Sequence, residues 1–160
     1  MVVLGIDPGE TIVGIGIIIK EGFKLEHIHH ESIIINPVKK PSEKLLEINE
    51  RLSIVLEKYK PDIVGIEELF FSKNRKTAIR VAQARGVLLF TCQKYNLKIL
   101  EFTPLQVKRA VACYGRADKK QIQAMVKTIL KLTEIPKQDD AADALAIAIC
   151  TANTSEILIK

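Results

Sequence analysis

Apolar and polar positions change their period several times along the chain, and those changes divide it into elements. From Val2 to Asp7, Thr11 to Lys20 and Lys24 to Ile35, β-branched residues dominate, with breaks at Pro8-Gly9 and Glu21-Gly22. Apolar runs bounded by turn residues predict three successive strands in an antiparallel meander. Gly14 and Gly16 weaken the second strand and mark a bend, a bulge or a place where something packs against bare backbone. At Pro41-Ser42 the period becomes helical. Leu45, Ile48, Leu52, Val55 and Tyr59 recur in steps of three and four until Pro61. Asp62 to Glu67 is a short apolar run ending on an acid, and a crossover helix before it predicts a strand parallel to the first.

Phe70, Phe71 and a polar basic run, Ser72 to Lys76, follow, and then Thr77 to Tyr95, which is apolar around most of a helical circumference. Such a helix must be covered on several sides, by its own core or by a second subunit. Lys98 to Phe102 reads as a strand. Thr103-Pro104 supplies an N-cap and a first-turn proline for a helix carrying Lys108 and Arg109. Tyr114 to Ala117 breaks that helix and Asp118 caps the next, whose stripe is Ile122, Met125, Val126, Ile129 and Leu132, with Lys119, Lys120, Lys127 and Lys131 in water. After Pro136, Asp139 to Asp143 opens a last helix running to about Cys150, and the final ten residues show no clear pattern. The order predicts one α/β domain over 1–160, a mixed five-stranded sheet (three antiparallel strands, then parallel additions) with helices on both faces.

Composition narrows the setting. With 160 residues the chain can bury a core without disulfides. Cys92, Cys113 and Cys150 are odd in number and set among apolar neighbours, so they read as core thiols in a reducing compartment. There is no signal-peptide pattern and no apolar run of about 18 residues, so a cytoplasmic protein without membrane association is expected. A formal charge of +5 and a pI near 9.1 favour a polyanionic partner.

The acids carry the chemistry. Asp7 ends a strand and is followed by Pro8, which cannot donate to a ladder, and Gly9, which adopts backbone angles closed to other residues, so its carboxylate faces open space. Glu67 repeats the design on a parallel neighbour. Asp140 and Asp143 are three apart and share a helix face, and Ala141, Ala142, Ala144 and Ala146 allow close approach to a sheet. If the four converge, they cannot all ionise without a cation. Mg²⁺ suits oxygen ligands, Mn²⁺ is a substitute, and two such ions about 3.5 to 4 Å apart support phosphodiester hydrolysis. Asp139 suits a helix cap. His27, His29 and His30 lie in a strand pattern without partners elsewhere, which argues against a site there, and Tyr114 reads as a loop tyrosine.

Gly5-Ile6-Asp7-Pro8-Gly9, Ile66-Glu67 with Phe70 and Lys73-Asn74, Gln83-Ala84-Arg85-Gly86-Val87, Gln106-Val107-Lys108 and Asp140 to Ala148 together carry a resemblance over nearly the whole chain. The sequence resembles the RuvC family of bacterial crossover junction endodeoxyribonucleases. The resemblance implies an RNase H-like fold and a homodimer that resolves four-way (Holliday) DNA junctions by paired nicks, leaving 5′-phosphate and 3′-hydroxyl ends. Asp7, Glu67, Asp140 and Asp143 match the family's acidic tetrad, expected to hold two Mg²⁺. Phe70 matches an aromatic that stacks on junction bases, and Lys108 and Lys119 match basic residues near the scissile phosphate. Thr77 to Tyr95 matches the dimer helix. Glu68 stands where relatives carry glutamine. Adjacent strand residues face oppositely, and the motif selects Glu67. Two basic banks, Lys73, Arg75, Lys76, Arg80 and Arg85 on one side and Lys108, Arg109, Arg116, Lys119 and Lys120 on the other, are candidate phosphate contacts. A branch-migration motor is a further candidate partner. The alternatives are another RNase H-like nuclease with a different substrate, or a junction-binding scaffold without catalysis.

Overall fold

The computed structural model describes residues 1–69 and 75–155, with the side chains of 75, 76 and 155 outside that description. Strands β1 (Val2–Asp7), β2 (Ile12–Glu21) and β3 (Lys24–Ile34) form the meander, followed by α1 (Pro41–Tyr59), β4 (Ile63–Glu67), α2 (Arg75–Lys94), β5 (Lys98–Phe102), α3 (Pro104–Ala112), α4 (Lys119–Ile129) and α5 (Asp139–Ser155). The sheet order is β3-β2-β1-β4-β5, with β1 antiparallel to β2 and parallel to β4. Helix α5 runs on through Thr151 and Ala152, both buried, so the absence of a pattern after Cys150 misjudged a helix that is apolar on all sides.

Two cores flank the sheet. Ile6, Ile15, Ile17 and Val64 point toward α1 and α2, where Ile48, Leu52, Ala84 and Leu88 cover them. On the other face Val3, Ile18 and Ile63 meet α3, α4 and α5. Alternate strand residues thus serve opposite cores, as strand geometry requires of a sheet covered on both sides. Thr103 caps α3 and Asp118 caps α4, each hydroxyl or carboxylate accepting from the backbone N–H three residues on.

Several expected details differ. Cys113 is exposed at the C-cap of α3 in a left-handed conformation, whereas Cys92 and Cys150 are buried and their thiols pushed up to about 12 and about 11 by burial. Met125 is 36 % exposed at the margin of its stripe. Gly9 does not take a positive φ. A side chain there would collide with the Ile12 carbonyl, so the turn after Asp7 needs glycine for space.

Candidate active site

The site begins at the ends of two parallel strands. Ile6 lies opposite Ile66, so Asp7 and Glu67, each the last residue of its strand, leave the sheet together. Glu68, the next residue, is exposed and its N–H donates to Phe102 O at 2.8 Å.

Helix α5 brings the other acids through a strip of bare backbone. A Cβ on Gly5 would lie 2.5 Å from Ala148 N, and one on Gly16 would lie 2.6 Å from Leu145 N. On Gly14 it would overlap the Asp140 carbonyl, and on Gly65 the Thr151 hydroxyl. The helix therefore rests on the sheet with alanines beneath it, far closer than a residue with a Cβ would permit. Gly14 and Gly16 answer this packing; the register shift of β2 falls elsewhere, between Ile17 and Ile18.

The acids then feel one another. Burial, followed by the charges of Asp143, Glu67 and Asp140, pushes the Asp7 carboxyl up to about 8, with Lys119 opposing. Glu67 is pushed up to about 7 by burial and then by Asp143, against Lys108. Asp143 is also raised, by burial first, while Lys119 draws it down and Asp139 and Asp140 add to the rise. Among the described residues no three His, Cys, Asp or Glu side chains already stand in coordinating positions. Four mutually repelling carboxyls at one sheet end nevertheless make the donor set that a hard divalent cation fits, because its charge removes the repulsion and oxygen is its preferred donor.

Cations and an apolar wall complete the surroundings. Lys119 Nζ sits 3.2 Å from Asp143 Oδ2 and 3.1 Å from Asp139 Oδ2. Glu67, Lys108, Lys119 and Asp143 line a cavity of about 250 Å³ whose apolar side is Pro104, Val107, Ile122 and Ala146. Asp139 opens α5 but does not act as the expected cap. Its carboxylate accepts from Gln123 Nε2 at 2.9 Å and pairs with Lys119.

The basic banks separate into groups with different surroundings. Lys108 and Lys119 face the acids, while Arg109, Arg116 and Lys120 are exposed and outside the cavity lining. Arg80 pairs with Glu10, which also holds the buried Lys44. Arg85 is engaged within the chain: only 14 % of its side chain is exposed, its Nε donates to Glu67 O at 2.8 Å, and its guanidinium pairs with Glu101. It clamps the end of β4, and the Gln-Ala-Arg-Gly-Val motif marked it without revealing the partner. Phe70 and Lys73 lie outside the described residues, as do the side chains of Arg75 and Lys76, which open α2.

Tyr114 donates its hydroxyl to Gln121 Oε1 at 2.8 Å in the α3–α4 turn. The histidines divide between faces. His29 stacks on Tyr59 of α1 and pairs with Glu31, whereas His27 and His30 meet on the opposite side.

A family model for the crossover junction endodeoxyribonuclease RuvC matches residues 3–151. The chain belongs to the RuvC family. A RuvC of Caldicellulosiruptor saccharolyticus is 54 % identical over 151 residues, covering 94 % of this chain and 91 % of the relative. One of Alkaliphilus oremlandii is 51 % identical over 154 residues, covering 96 % and 94 %. The structure of T. thermophilus RuvC in complex with a Holliday junction substrate superposes with a TM-score of 0.89 at 34 % identity, covering 98 % of this chain and 96 % of that one. The RuvC sheet, with its three antiparallel strands, two parallel additions and helices on both faces, is RNase H-like, as expected. Among the described residues no helix is long and apolar enough to cross a membrane.

Proposed function

We propose that this RuvC-family chain is a Holliday junction resolvase whose homodimer nicks two strands of a four-way DNA junction, leaving 5′-phosphate and 3′-hydroxyl ends. The observation that carries the reading is the meeting of the acids at one end of the sheet, where the Ile6–Ile66 pairing aligns Asp7 with Glu67 and the Asp140 backbone lies over Gly14 beside the Asp7 side chain. Asp7, Glu67, Asp140 and Asp143 would hold two Mg²⁺, with Mn²⁺ as substitute. Such a pair of ions supplies, when bound, an activated water and charge stabilisation at the leaving oxygen.

The chain's own groups orient the rest. Lys119, now held between Asp139 and Asp143, and Lys108, facing Glu67, are placed to take up phosphate charge beside the acids. The apolar wall limits water on that side of the cavity. Arg85 keeps the end of β4 fixed, so Glu67 is presented at a constant height relative to Asp7. Phe70 is assigned to stacking on a junction base, and Lys73, Arg75, Lys76, Arg109 and Lys120 to the DNA backbone.

The exposed side of α2 supports dimerisation. Ile79, Ala82, Gly86 and Phe90 recur at helical spacing, and Ile79 and Phe90 are 60 % and 67 % exposed. A two-fold dimer built on this stripe would offer two equivalent sites to a junction of nearly two-fold symmetry. Action on chromosomal junctions would be carried out in the bacterial cytoplasm, where a branch-migration motor is a candidate partner. Cleavage of a synthetic four-way junction, a linear duplex and an RNA-DNA hybrid in Mg²⁺ tests the reading. Selective, paired nicking of the junction is expected, and equal rates on all three substrates would refute it.

A further inference from the structure

A groove of about 960 Å³, lined by none of the four acids, lies between β3 and the segment 130–138 and reaches Ala141 in the first turn of α5. Two imidazoles stand in its wall for a local reason. Ile17 pairs with His29 and Ile18 with His27, so Ile28 is an extra residue in β3. Without this bulge, strand alternation would put His27 and His30 on opposite faces, and with it they share one. His27 Nε2 and His30 Nδ1 lie 2.8 Å apart with ring centroids at 4.9 Å. Ser32, two residues on along the same face, has a buried Oγ with no hydrogen-bond partner, the one such side-chain atom among the described residues. Glu26, paired with Lys24, lines the same groove, and Glu31 borders it while its carboxylate pairs with His29 on the other face.

We propose that His27 and His30 form a binding site for a late first-row divalent ion, Zn²⁺ or Ni²⁺, distinct from the carboxylate cluster. Imidazole nitrogen is a preferred donor for these ions and a poor one for Mg²⁺. Two nitrogens each about 2.0 to 2.1 Å from one tetrahedral ion stand roughly 3.3 Å apart, so the observed pair at 2.8 Å needs to open by about half an ångström. The hydrogen now shared between Nε2 and Nδ1 moves to the other nitrogen of the ring that carries it, so both facing nitrogens become donors with no net proton change. Burial and the neighbouring imidazoles hold both rings below their ordinary pKa, so they are neutral and ready to ligate at pH 7. Ser32 Oγ offers a partner to water or an anion completing the ion's shell.

Zn²⁺ titrated into the full chain carrying Cys113→Ser, in saturating Mg²⁺ and followed by histidine-ring ¹H–¹⁵N NMR, tests the site. One equivalent is expected to shift His27 Nε2 and His30 Nδ1 while His29, on the opposite face, stays still. His27→Ala and His30→Ala should each weaken Zn²⁺ binding at least tenfold and abolish the Zn²⁺-dependent rise in melting temperature. Binding that leaves the histidine signals unmoved, equal shifts at all three histidines, or unaltered affinity in both variants would overturn the proposal. The imidazole signals of the chain with its histidines intact decide the matter even if a variant folds poorly.

Discussion

Asp7→Asn should make the metal-free protein more stable at neutral and alkaline pH while removing its nuclease activity. The folded carboxyl is raised from 3.8 to about 8. Below pH 4 it is protonated in both folded and unfolded chains and contributes no penalty. Between pH 4 and 8 the unfolded chain releases this proton and the folded one retains it, so stability falls as pH rises through that window. A displacement of about four units, at about 1.4 kcal/mol each, sets a ceiling near 6 kcal/mol. The amide of asparagine still bears part of the burial cost, and protonation of a neighbour already relieves some repulsion, so a gain of ~2–3 kcal/mol at pH 8 is expected. For a domain of this size that is roughly 5 to 10 °C in melting temperature. Thermal unfolding of both proteins in EDTA at pH 4.5, 6 and 8 measures it, with the gap widening toward pH 8. Saturating Mg²⁺ should then stabilise the parent more than the variant, since ligand binding to the folded state alone raises its stability. A variant less stable than the parent at pH 8, or a gap that ignores pH, would make Asp7 a structural partner and refute the reasoning.

Other substitutions probe the parts that place the acids. Gly16→Ala drives a methyl into the Leu145 backbone and should cost about 2–3 kcal/mol of stability in urea unfolding, with cleavage falling further than stability because α5 shifts. Arg85→Ala releases the Glu67 carbonyl, and junction cleavage at saturating substrate is expected to drop roughly 10- to 100-fold with little change in DNA affinity measured by gel shift. Phe90→Lys should convert a species of twice 17.9 kDa into one of 17.9 kDa in sedimentation equilibrium, with monomers that retain the fold. Lys119→Met, removing the cation between Asp139 and Asp143, should lower the cleavage rate while raising the pKa of Asp143, which ¹³C carboxyl NMR can follow.

Period and punctuation disclosed most of the architecture, because strands that alternate between two cores and helices with capped starts carry their signals locally. Thr103 and Asp118 are readable as caps from three residues of context, and the observed hydrogen bonds match. What escaped was relational. Gly14 and Gly16 signal only weakness in a strand until the α5 backbone is seen above them. Arg85 belongs by composition to a basic bank, yet its partners are a carbonyl and Glu101, brought in from other strands. Asp139 looks like a cap, and a lysine from α4 together with Gln123 claims it instead. The bulge at Ile28 depends on pairing with β2, so the sequence alone left His27 and His30 without partners when each was the other's.

The strip of glycines beneath α5 also sets a timetable. Asp7 lies on β1, and Asp140 and Asp143 leave the ribosome far later, on α5, a helix that supplies much of one core. Closing so long a span is entropically demanding and late in folding. A growing chain therefore holds half of its acids but not the other half. The nuclease thus stays inert until α5 has docked.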